Sequence, residues 1–364
     1  MKLSFCTALT SILCHFTLIG SWSNSVRMRH ANRVQRGEVF GRRVWWWRDD
    51  VFSLPSSEIA GNKARKLEGL QRLLSNPGGH GFARLASYGG PQSNSMLALS
   101  VLARAHGVPF VYYSKKLPSF LSSNRLHSSN LERALRSGMD LRELTSAEYE
   151  RLAAAPKTLV SPVPEPDEGL TCWVPQGGAF AGAEAGIEAL TKEVADFVEA
   201  ATGEEANRPW KFVVASGTGT MALFAARCME QRASKDVAPR TSKRIEVVAV
   251  PCVSSGAALQ REMAVLDAAS GDRRIFPTVL DEAAGAPARV FSAPCAEHLG
   301  LWMQLKQQSP NIEFDLVYAP RAWEILRESQ LWSGSSNIIY YCCGGHEGNE
   351  SQLGRYRHLG LLAR

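Results

Sequence analysis

Apolar and polar residues along the chain form two alternating patterns, short apolar runs and longer stretches with helical periodicity. The apolar runs are compact and bounded by Gly, Pro or charged residues, which is typical of buried strands. They lie at 44–50, 82–87, 108–113, 172–175, 211–215, 245–250 and 338–343. A Pro-rich stretch at 154–169 is interpreted as a linker between two groups of such runs.

The segment 61–75 predicts a helix, because Leu67, Leu70, Leu73 and Leu74 recur at helical spacing. Asn62 is expected to cap its amino terminus. Further helices are predicted at 96–106, at 183–202 and directly behind 216–220. Strands that alternate with helices over the whole body predict an α/β fold with a largely parallel sheet.

Composition places the chain among globular proteins and argues against a nucleic-acid-binding role. Of its 364 residues, 45% are hydrophobic and 21% are charged. The net charge of +6 is concentrated in residues 1–37, which contain five basic residues and no acid. The rest of the chain is nearly neutral, so we expect no nucleic-acid partner. The eight cysteines lack CxxC spacing, so neither a zinc site nor a disulfide framework is expected.

Residues 1–37 are interpreted as a targeting segment and are excluded from the fold. The stretch is rich in Arg and Ser and free of acid, which is typical of a transit peptide for a mitochondrion or plastid. A signal peptide followed by such a transit peptide is an equal interpretation. A secretory signal peptide, with Ser21 and Ser23 near the cleavage site, is the alternative, and a disordered start is a third interpretation. The apolar part is too short and too polar for a comfortable membrane span, so no membrane partner is expected for the mature form.

Three polar segments carry candidate chemistry. A Gly/Thr turn between a strand and a helix exposes backbone N–H groups that suit a phosphate, although a tight turn without a ligand is a nearly equal interpretation. Its members are Ser216, Gly217, Thr218, Gly219 and Thr220. Lys63 stands at a helix start, where it is either a solvated surface residue or an amine that forms a Schiff base. In the loop 88–94, Ser93 and Asn94 either contact a ligand or cap the following helix.

In combination, these segments resemble the pyridoxal-phosphate family of 1-aminocyclopropane-1-carboxylate deaminases and D-cysteine desulfhydrases. The resemblance rests on the order and spacing of several motifs between residue 48 and the carboxyl terminus. They are RDD at 48–50, GNKARKLE at 61–68, GGPQSN at 89–94, PQGG at 175–178, SGTGT at 216–220, DLVYAPRAW at 315–323 and the pair Gly344 and Gly345.

The resemblance implies pyridoxal 5'-phosphate as cofactor and a role for each matching residue. Lys63 matches the Schiff-base lysine, and Lys66 matches a phosphate contact. Ser93 matches the serine that serves as nucleophile or proton relay. Asn94 matches the residue that holds the ring oxygen, and residues 216–220 match the phosphate loop.

The resemblance also implies an active-site tyrosine, Tyr318, and the architecture of the family. The expected fold is tryptophan-synthase-like, fold type II, with two open, twisted, mostly parallel sheets flanked by helices. The large cofactor-binding domain would comprise 38–65 and 166–364, and the small inserted domain would comprise 66–165. A homodimer is the expected assembly.

Departures from the family pattern bear on the substrate. The deaminases carry a glutamate that pairs the pyridine nitrogen where this chain has Ala319, and a second tyrosine whose nearest counterpart is Cys295. His346, in the last loop, is either a base at the site or a surface residue. The expected function is therefore a lyase that performs α,β-elimination on a small D-amino acid such as D-cysteine.

The alternatives are 1-aminocyclopropane-1-carboxylate deamination, a pyridoxal-phosphate-binding protein with weakened catalysis, and a nucleotide-binding protein that uses 216–220.

Overall fold

Two separate sheets, each flanked by helices, form the framework of the chain. The computed structural model describes residues 33–54, 58–76, 82–117, 129–154, 170–235, 244–282 and 289–363. The strands are β1 (Val34–Val39), β2 (Arg42–Arg48), β3 (Phe82–Tyr88), β4 (Phe110–Lys115), β5 (Met139–Leu144), β6 (Leu170–Val174), β7 (Trp210–Ser216), β8 (Ile245–Pro251), β9 (Thr278–Val279) and β10 (Asn337–Cys342).

The helices connect successive strands and cover the faces of the sheets. They are α1 (Gly61–Leu74), α2 (Asn94–Ala105), α3 (Asn130–Arg136), α4 (Ser146–Ala153), α5 (Glu184–Glu199), α6 (Thr220–Lys235), α7 (Gly256–Ala269), α8 (Ala296–Gln308), α9 (Tyr318–Glu328), α10 (Gln330–Ser333) and α11 (Asn349–His358). None of the helices in the described ranges is both long enough and apolar enough to cross a bilayer.

The larger sheet has the strand order β1-β2-β10-β7-β8-β9, and the smaller sheet has the order β5-β4-β3-β6. Among these described strands, β1 and β2 pair antiparallel, and the other neighbouring pairs are parallel. The predicted arrangement of two mostly parallel sheets flanked by helices is confirmed.

Three successive tryptophans in β2 illustrate how the larger sheet is buried on both faces. Trp45 and Trp47 pack against Phe197 of α5 on one face, whereas Trp46 packs against Phe314 and Trp323 on the other. All three residues are at most 2% exposed. A parallel sheet that is covered on both sides requires such a continuous apolar run.

Strand pairing moves two boundaries of the predicted domain division. Val34 to Val39 pair with β2, so the larger sheet begins inside the segment 1–37 that the sequence assigned to targeting. Strand β6 follows the predicted boundary at 166, yet it pairs with β3 in the smaller sheet. Residues 1–32, and with them most of the predicted targeting segment, lie outside the described residues.

The start of α1 differs from the prediction of an Asn62 cap. The helix begins at Gly61, Ala60 occupies the cap position, and no side chain caps it. The Asn62 N–H instead donates to the backbone oxygen of Cys343 across 2.9 Å. A Cβ on Gly61 would lie 2.3 Å from that oxygen, so only glycine allows the helix to begin against the end of β10.

Candidate functional site

Loops at the carboxyl ends of strands from both sheets lie against one another, and the region that they border is called the crevice below. Gly177, after β6, lies against Thr218, after β7, because a Cβ on Gly177 would be 2.9 Å from the Thr218 methyl group. Gly345, after β10, lies similarly close to Asn94, after β3. Ligands of parallel α/β sheets bind where the carboxyl ends of strands converge, so this crevice is the candidate active site.

Lys63 lies in the first turn of α1, next to Cys343 and Lys66. Its side chain is partly buried, and desolvation lowers the pKa of its amine to about 8, with an opposing effect from Cys343. A neutral amine is the nucleophilic form of a lysine. The prediction that Lys63 holds a cofactor is therefore compatible with its surroundings.

Lys66, one turn further along α1, is 5% exposed. Its ammonium donates to the Gly177 backbone oxygen across 3.1 Å, which places it beside the turn that contains Thr218. Burial lowers the pKa of Lys66 well below its ordinary value, and the neighbouring Lys63 lowers it further. A bound anion would relieve both effects, as expected of a phosphate contact.

A buried ion pair anchors the helix that carries the two lysines. The Asp49 carboxylate, fully buried after β2, accepts two hydrogen bonds from Arg65 at 2.9 and 3.0 Å. The Tyr341 hydroxyl donates a further bond to it at 3.0 Å. Because Arg65 lies between Lys63 and Lys66, this contact fixes the rotation of α1 and with it the direction in which both lysines leave the helix.

The turn 216–220 joins β7 to α6, so it combines two hydroxyl groups with the amino terminus of a helix. The hydroxyls of Thr218 and Thr220 lie 2.8 Å apart. The first N–H groups of α6 have no intrahelical acceptors, and the helix dipole adds positive potential at this end. A Cβ on Gly217 would be 3.2 Å from the Tyr318 hydroxyl, so Tyr318 borders the turn.

Tyr318 is paired with an aromatic residue that the sequence analysis missed. The rings of Phe291 and Tyr318 meet edge to face, with centroids 5.4 Å apart. Cys295, the predicted counterpart of the second tyrosine, instead lies at the start of α8, where its N–H donates to the Tyr356 hydroxyl at 3.4 Å. Burial raises the pKa of Tyr318, so its phenol stays protonated at neutral pH.

Ser93 has the capping role that its sequence position left open. Its side-chain oxygen accepts from the N–H groups of Ser95 and Met96 at 3.2 and 3.3 Å, so it caps α2. It also contacts Tyr112, whose hydroxyl donates to the Gly90 backbone oxygen at 3.1 Å. Tyr112 thus supports the loop 89–94 from beneath, which nothing in its strand sequence indicated.

Asp315 stands behind Ala319 at the start of α9. Its carboxylate accepts from the N–H groups of Val317 and Ala319 at 3.0 and 3.2 Å, and from that of Tyr318. Burial raises the pKa of Asp315 to about 6, although these bonds and the nearby His346 lower it. Ala319 is 3% exposed, so the methyl group at the position where the resemblance implies a glutamate is buried.

Several buried polar atoms around the crevice have no hydrogen-bond partner among the described residues. They are the side-chain amide atoms of Gln92, Oγ of Ser95, Oδ1 of Asn130 and Nδ1 of His346. Buried polar groups are normally paired, so these atoms are open to hydrogen bonds from a bound polar ligand or from water. Within the described ranges, no three His, Cys, Asp or Glu side chains are grouped as metal ligands.

Comparison with known proteins gives a structural match without a sequence match. Neither a protein-family profile nor a curated protein sequence matches the chain. An ACC deaminase homologue superposes with a TM-score of 0.64 and 17% identity, over 93% of this chain and 100% of that one. The chain has the tryptophan-synthase-like fold, fold type II.

Two further solved structures share this architecture. An L-serine ammonia-lyase from Rhizomucor miehei has a TM-score of 0.53 and 14% identity, covering 93% of this chain and 96% of that chain. A threonine deaminase from T.th. has a TM-score of 0.51 and 12% identity, covering 88% of this chain and 96% of that chain. At these identities the likeness establishes the fold, and the fold predicted from the sequence is confirmed.

Proposed function

We propose that the crevice binds pyridoxal 5'-phosphate and that the chain is a lyase acting on a small D-amino acid such as D-cysteine. The observation that carries this proposal is the contact between the lysine-bearing helix and the Gly/Thr turn, in which Lys66, one turn beyond Lys63, donates to Gly177, and Gly177 lies against Thr218. Burial also lowers the pKa of the Lys63 amine to about 8. The unpartnered polar atoms around the crevice fit a polar ligand of this kind.

When bound, pyridoxal phosphate supplies an aldehyde that captures amines and a ring that withdraws electrons from the substrate. Lys63 would hold the aldehyde carbon. Lys66 and the N–H groups and hydroxyls of 216–220 would bind the phosphate. The Asn94 amide would donate to the ring oxygen.

The residues of the chain would then move one proton and admit one water. The Lys63 amine, or Ser93 assisted by Tyr318, would remove the α-proton of the substrate. Tyr318 remains a phenol at neutral pH, because burial raises its pKa, so it acts as a hydrogen-bond donor. In the balanced reaction, D-cysteine and water give pyruvate, hydrogen sulfide and ammonia.

The position of Ala319 ranks the elimination above 1-aminocyclopropane-1-carboxylate deamination. A methyl group buried at the start of α9 offers no charge to a pyridine nitrogen, so the electron sink is weaker than with a glutamate. Opening a cyclopropane ring is the more demanding of the two reactions. Ala319 is also compatible with a third candidate, a pyridoxal-phosphate-binding protein with weakened catalysis.

The test uses the purified chain reconstituted with pyridoxal phosphate and measures pyruvate released from D-cysteine and from L-cysteine. We expect a visible absorbance band and pyruvate from the D-isomer. Lys63→Ala should abolish both, whereas Lys192→Ala, a change at an exposed lysine on α5, should abolish neither. Release of 2-oxobutanoate from 1-aminocyclopropane-1-carboxylate, with none of pyruvate from D-cysteine, would favour deamination. A band without turnover on either substrate would favour the cofactor-binding protein.

A further inference from the structure

We propose that Asn130 is a positioning residue, whose amide determines which end of the Asn94 amide faces the crevice. The inference rests on the proposed function, in which Asn94 contacts the ring oxygen of the cofactor. Asn94 begins α2, and Asn130 begins α3, 36 residues later in the chain. The two side chains meet because α2 and α3 pack beside each other.

The orientation of the Asn130 amide follows from a backbone group that can only accept. The carbonyl oxygen of Gln92 lies 3.1 Å from one side-chain atom of Asn130, so that atom must be the nitrogen Nδ2. The same Nδ2 lies 2.7 Å from the Asn94 side chain. The atom of Asn94 at this contact must therefore be the acceptor Oδ1.

The planar amide of Asn94 leaves only one place for its nitrogen. With Oδ1 held by Asn130, Nδ2 turns the other way, toward the loop after β10. There it lies beside Gly345, where a Cβ would be 2.4 Å from Nδ2. Gly345 has a φ of +92°, a conformation that other residues rarely adopt. The loop thus leaves room for the N–H donors of Asn94 at the crevice.

Burial makes this arrangement hard to reverse. Asn130 is 1% exposed, and its hydrogen bonds to Gln92 and Asn94 use both of its N–H donors. Ser129 caps α3 by accepting from the Glu132 N–H at 3.2 Å, which holds the start of that helix in place. Turning the Asn94 amide over would set two N–H donors against each other, Nδ2 against Nδ2, beside the buried Asn130 amide.

The chemical consequence is a donor aimed at an anionic oxygen. An N–H given to the ring oxygen of bound pyridoxal phosphate favours the anionic form of that oxygen. The oxygen then holds the neighbouring proton less tightly, so the pH midpoint at which the visible absorbance band changes is lowered. Loss of the donor should raise that pKa by about one unit, the scale of one hydrogen bond to a charged group.

The experiment follows the visible absorbance of the cofactor-loaded, full-length protein from mildly acidic to alkaline pH. Asn94→Ala removes the donor, and Asn130→Asp replaces the anchoring donor by acceptors, so that the Asn94 amide turns its oxygen to the crevice. Both should raise the titration midpoint by about one unit. Asn130→Ala frees the Asn94 amide to adopt either orientation and should raise the titration midpoint by less. It also carries the test if Asn130→Asp does not fold.

The double variant Asn94→Ala/Asn130→Ala separates positioning from general damage. If Asn130 acts through Asn94, the double variant should titrate like Asn94→Ala alone, because the second change has nothing left to orient. Asn337→Asp is the matched control. The Asn337 amide is also buried and donates to a backbone oxygen, that of Glu205 at 2.8 Å, but at the opposite end of β10. Its midpoint should equal that of the unchanged protein.

Two results would overturn the inference while leaving the proposed function intact. One is a midpoint for Asn130→Asp equal to that of the unchanged protein, and the other is a double variant in which the two shifts add. A protein that shows no visible band with pyridoxal phosphate, or a band that survives Lys63→Ala, would remove the proposed function itself and this inference with it.

Discussion

The Lys66 ammonium donates to the backbone oxygen of Gly177 across 3.1 Å and so joins the helix of Lys63 to the end of a strand in the smaller sheet. The Gly177 carbonyl is a weak partner for a buried ammonium, since it carries no net charge. Burial and the nearby Lys63 accordingly lower the pKa of Lys66 well below its ordinary value. A dianionic phosphate in the crevice would reverse that shift.

The first prediction is that phosphate binding raises the pKa of Lys66 and is therefore linked to proton uptake by the protein. A group whose pKa rises on binding takes up protons from solution in proportion to the change. We expect 4-deoxypyridoxine 5'-phosphate, which has no aldehyde, to bind with uptake of up to about one proton per site. Calorimetry in buffers of different ionisation enthalpy measures this number.

Lys66→Met is the variant that isolates this effect, because it keeps much of the length of the side chain and removes the charge. Proton uptake by Lys66→Met on binding the analogue should be close to zero. The affinity of this variant for the analogue should fall by roughly tenfold or more, the scale of one lost charge-assisted hydrogen bond. Equal proton uptake in Lys66→Met and in the unchanged protein would show that another group is titrating.

The second prediction concerns the pH dependence of cofactor capture by Lys63. With a pKa lowered to about 8, its amine becomes neutral as the pH rises through 8, rather than through the usual 10.5. At neutral pH the neutral fraction is then about 300-fold larger than for an ordinary lysine. The rate at which the apoprotein develops the visible band should therefore rise with pH and level off about one unit above that pKa, as measured by stopped-flow absorbance.

A rate that still climbs toward the usual lysine pKa of 10.5 would contradict a lowered pKa for Lys63. Free pyridoxal phosphate with a lysine-containing peptide provides the reference curve, whose midpoint should lie near the ordinary value.

The third prediction separates the two roles of Ser93. Its oxygen caps α2, so Ser93→Ala should lower the free energy of unfolding by about 1 kcal/mol. Ser93→Asn keeps a capping acceptor and removes the hydroxyl, so its unfolding free energy should stay within a few tenths of a kcal/mol of the original. If the hydroxyl relays a proton, both variants should lose turnover of D-cysteine by about 100-fold.

Urea unfolding and pyruvate release, measured on the same preparations, give the two quantities. Ser93→Thr, which retains both the acceptor and the hydroxyl, should preserve stability and much of the turnover. Full turnover in Ser93→Asn would leave Ser93 with its capping role alone.

The sequence allowed the fold to be predicted because its local signals and its tertiary structure agree. The apolar run of β7 and the polar turn 216–220 occupy neighbouring positions in the chain, so the strand, the turn and α6 could be inferred together. The prediction that Asn62 caps α1 was wrong because a tertiary contact determines the start of the helix. A contact with Cys343, far along the chain, determines where α1 begins, and no local pattern encodes it.

The same reasoning explains which site residues were missed. Tyr112 lies in a mostly buried strand. Its hydroxyl contacts the loop 89–94 only because β3 and β4 are neighbours in the sheet. Phe291 reaches Tyr318 from a loop with no recognisable pattern. Asn130 begins a short helix and resembles an ordinary surface residue until α2 and α3 are packed together.

The fourth prediction tests the space that Gly345 leaves for Asn94. Gly345→Ala has two costs, the left-handed backbone at φ +92° and a Cβ that would lie 2.4 Å from the Asn94 nitrogen. Gly360→Ala is a matched control, since Gly360 has a φ of +72° but nothing lies within 4 Å of its added Cβ. Both variants should lose about 1–2 kcal/mol of unfolding free energy because of the backbone conformation.

Only Gly345→Ala should also change the cofactor site, because its methyl group displaces the Asn94 amide from the crevice. We expect weaker binding of pyridoxal phosphate and an upward shift in the pH midpoint of the visible band, both absent in Gly360→Ala. Equilibrium titration with the cofactor and absorbance at varied pH measure the two effects. If the two glycine variants behave alike at the cofactor site, the glycine at 345 serves the backbone turn and the Asn94 amide does not depend on it.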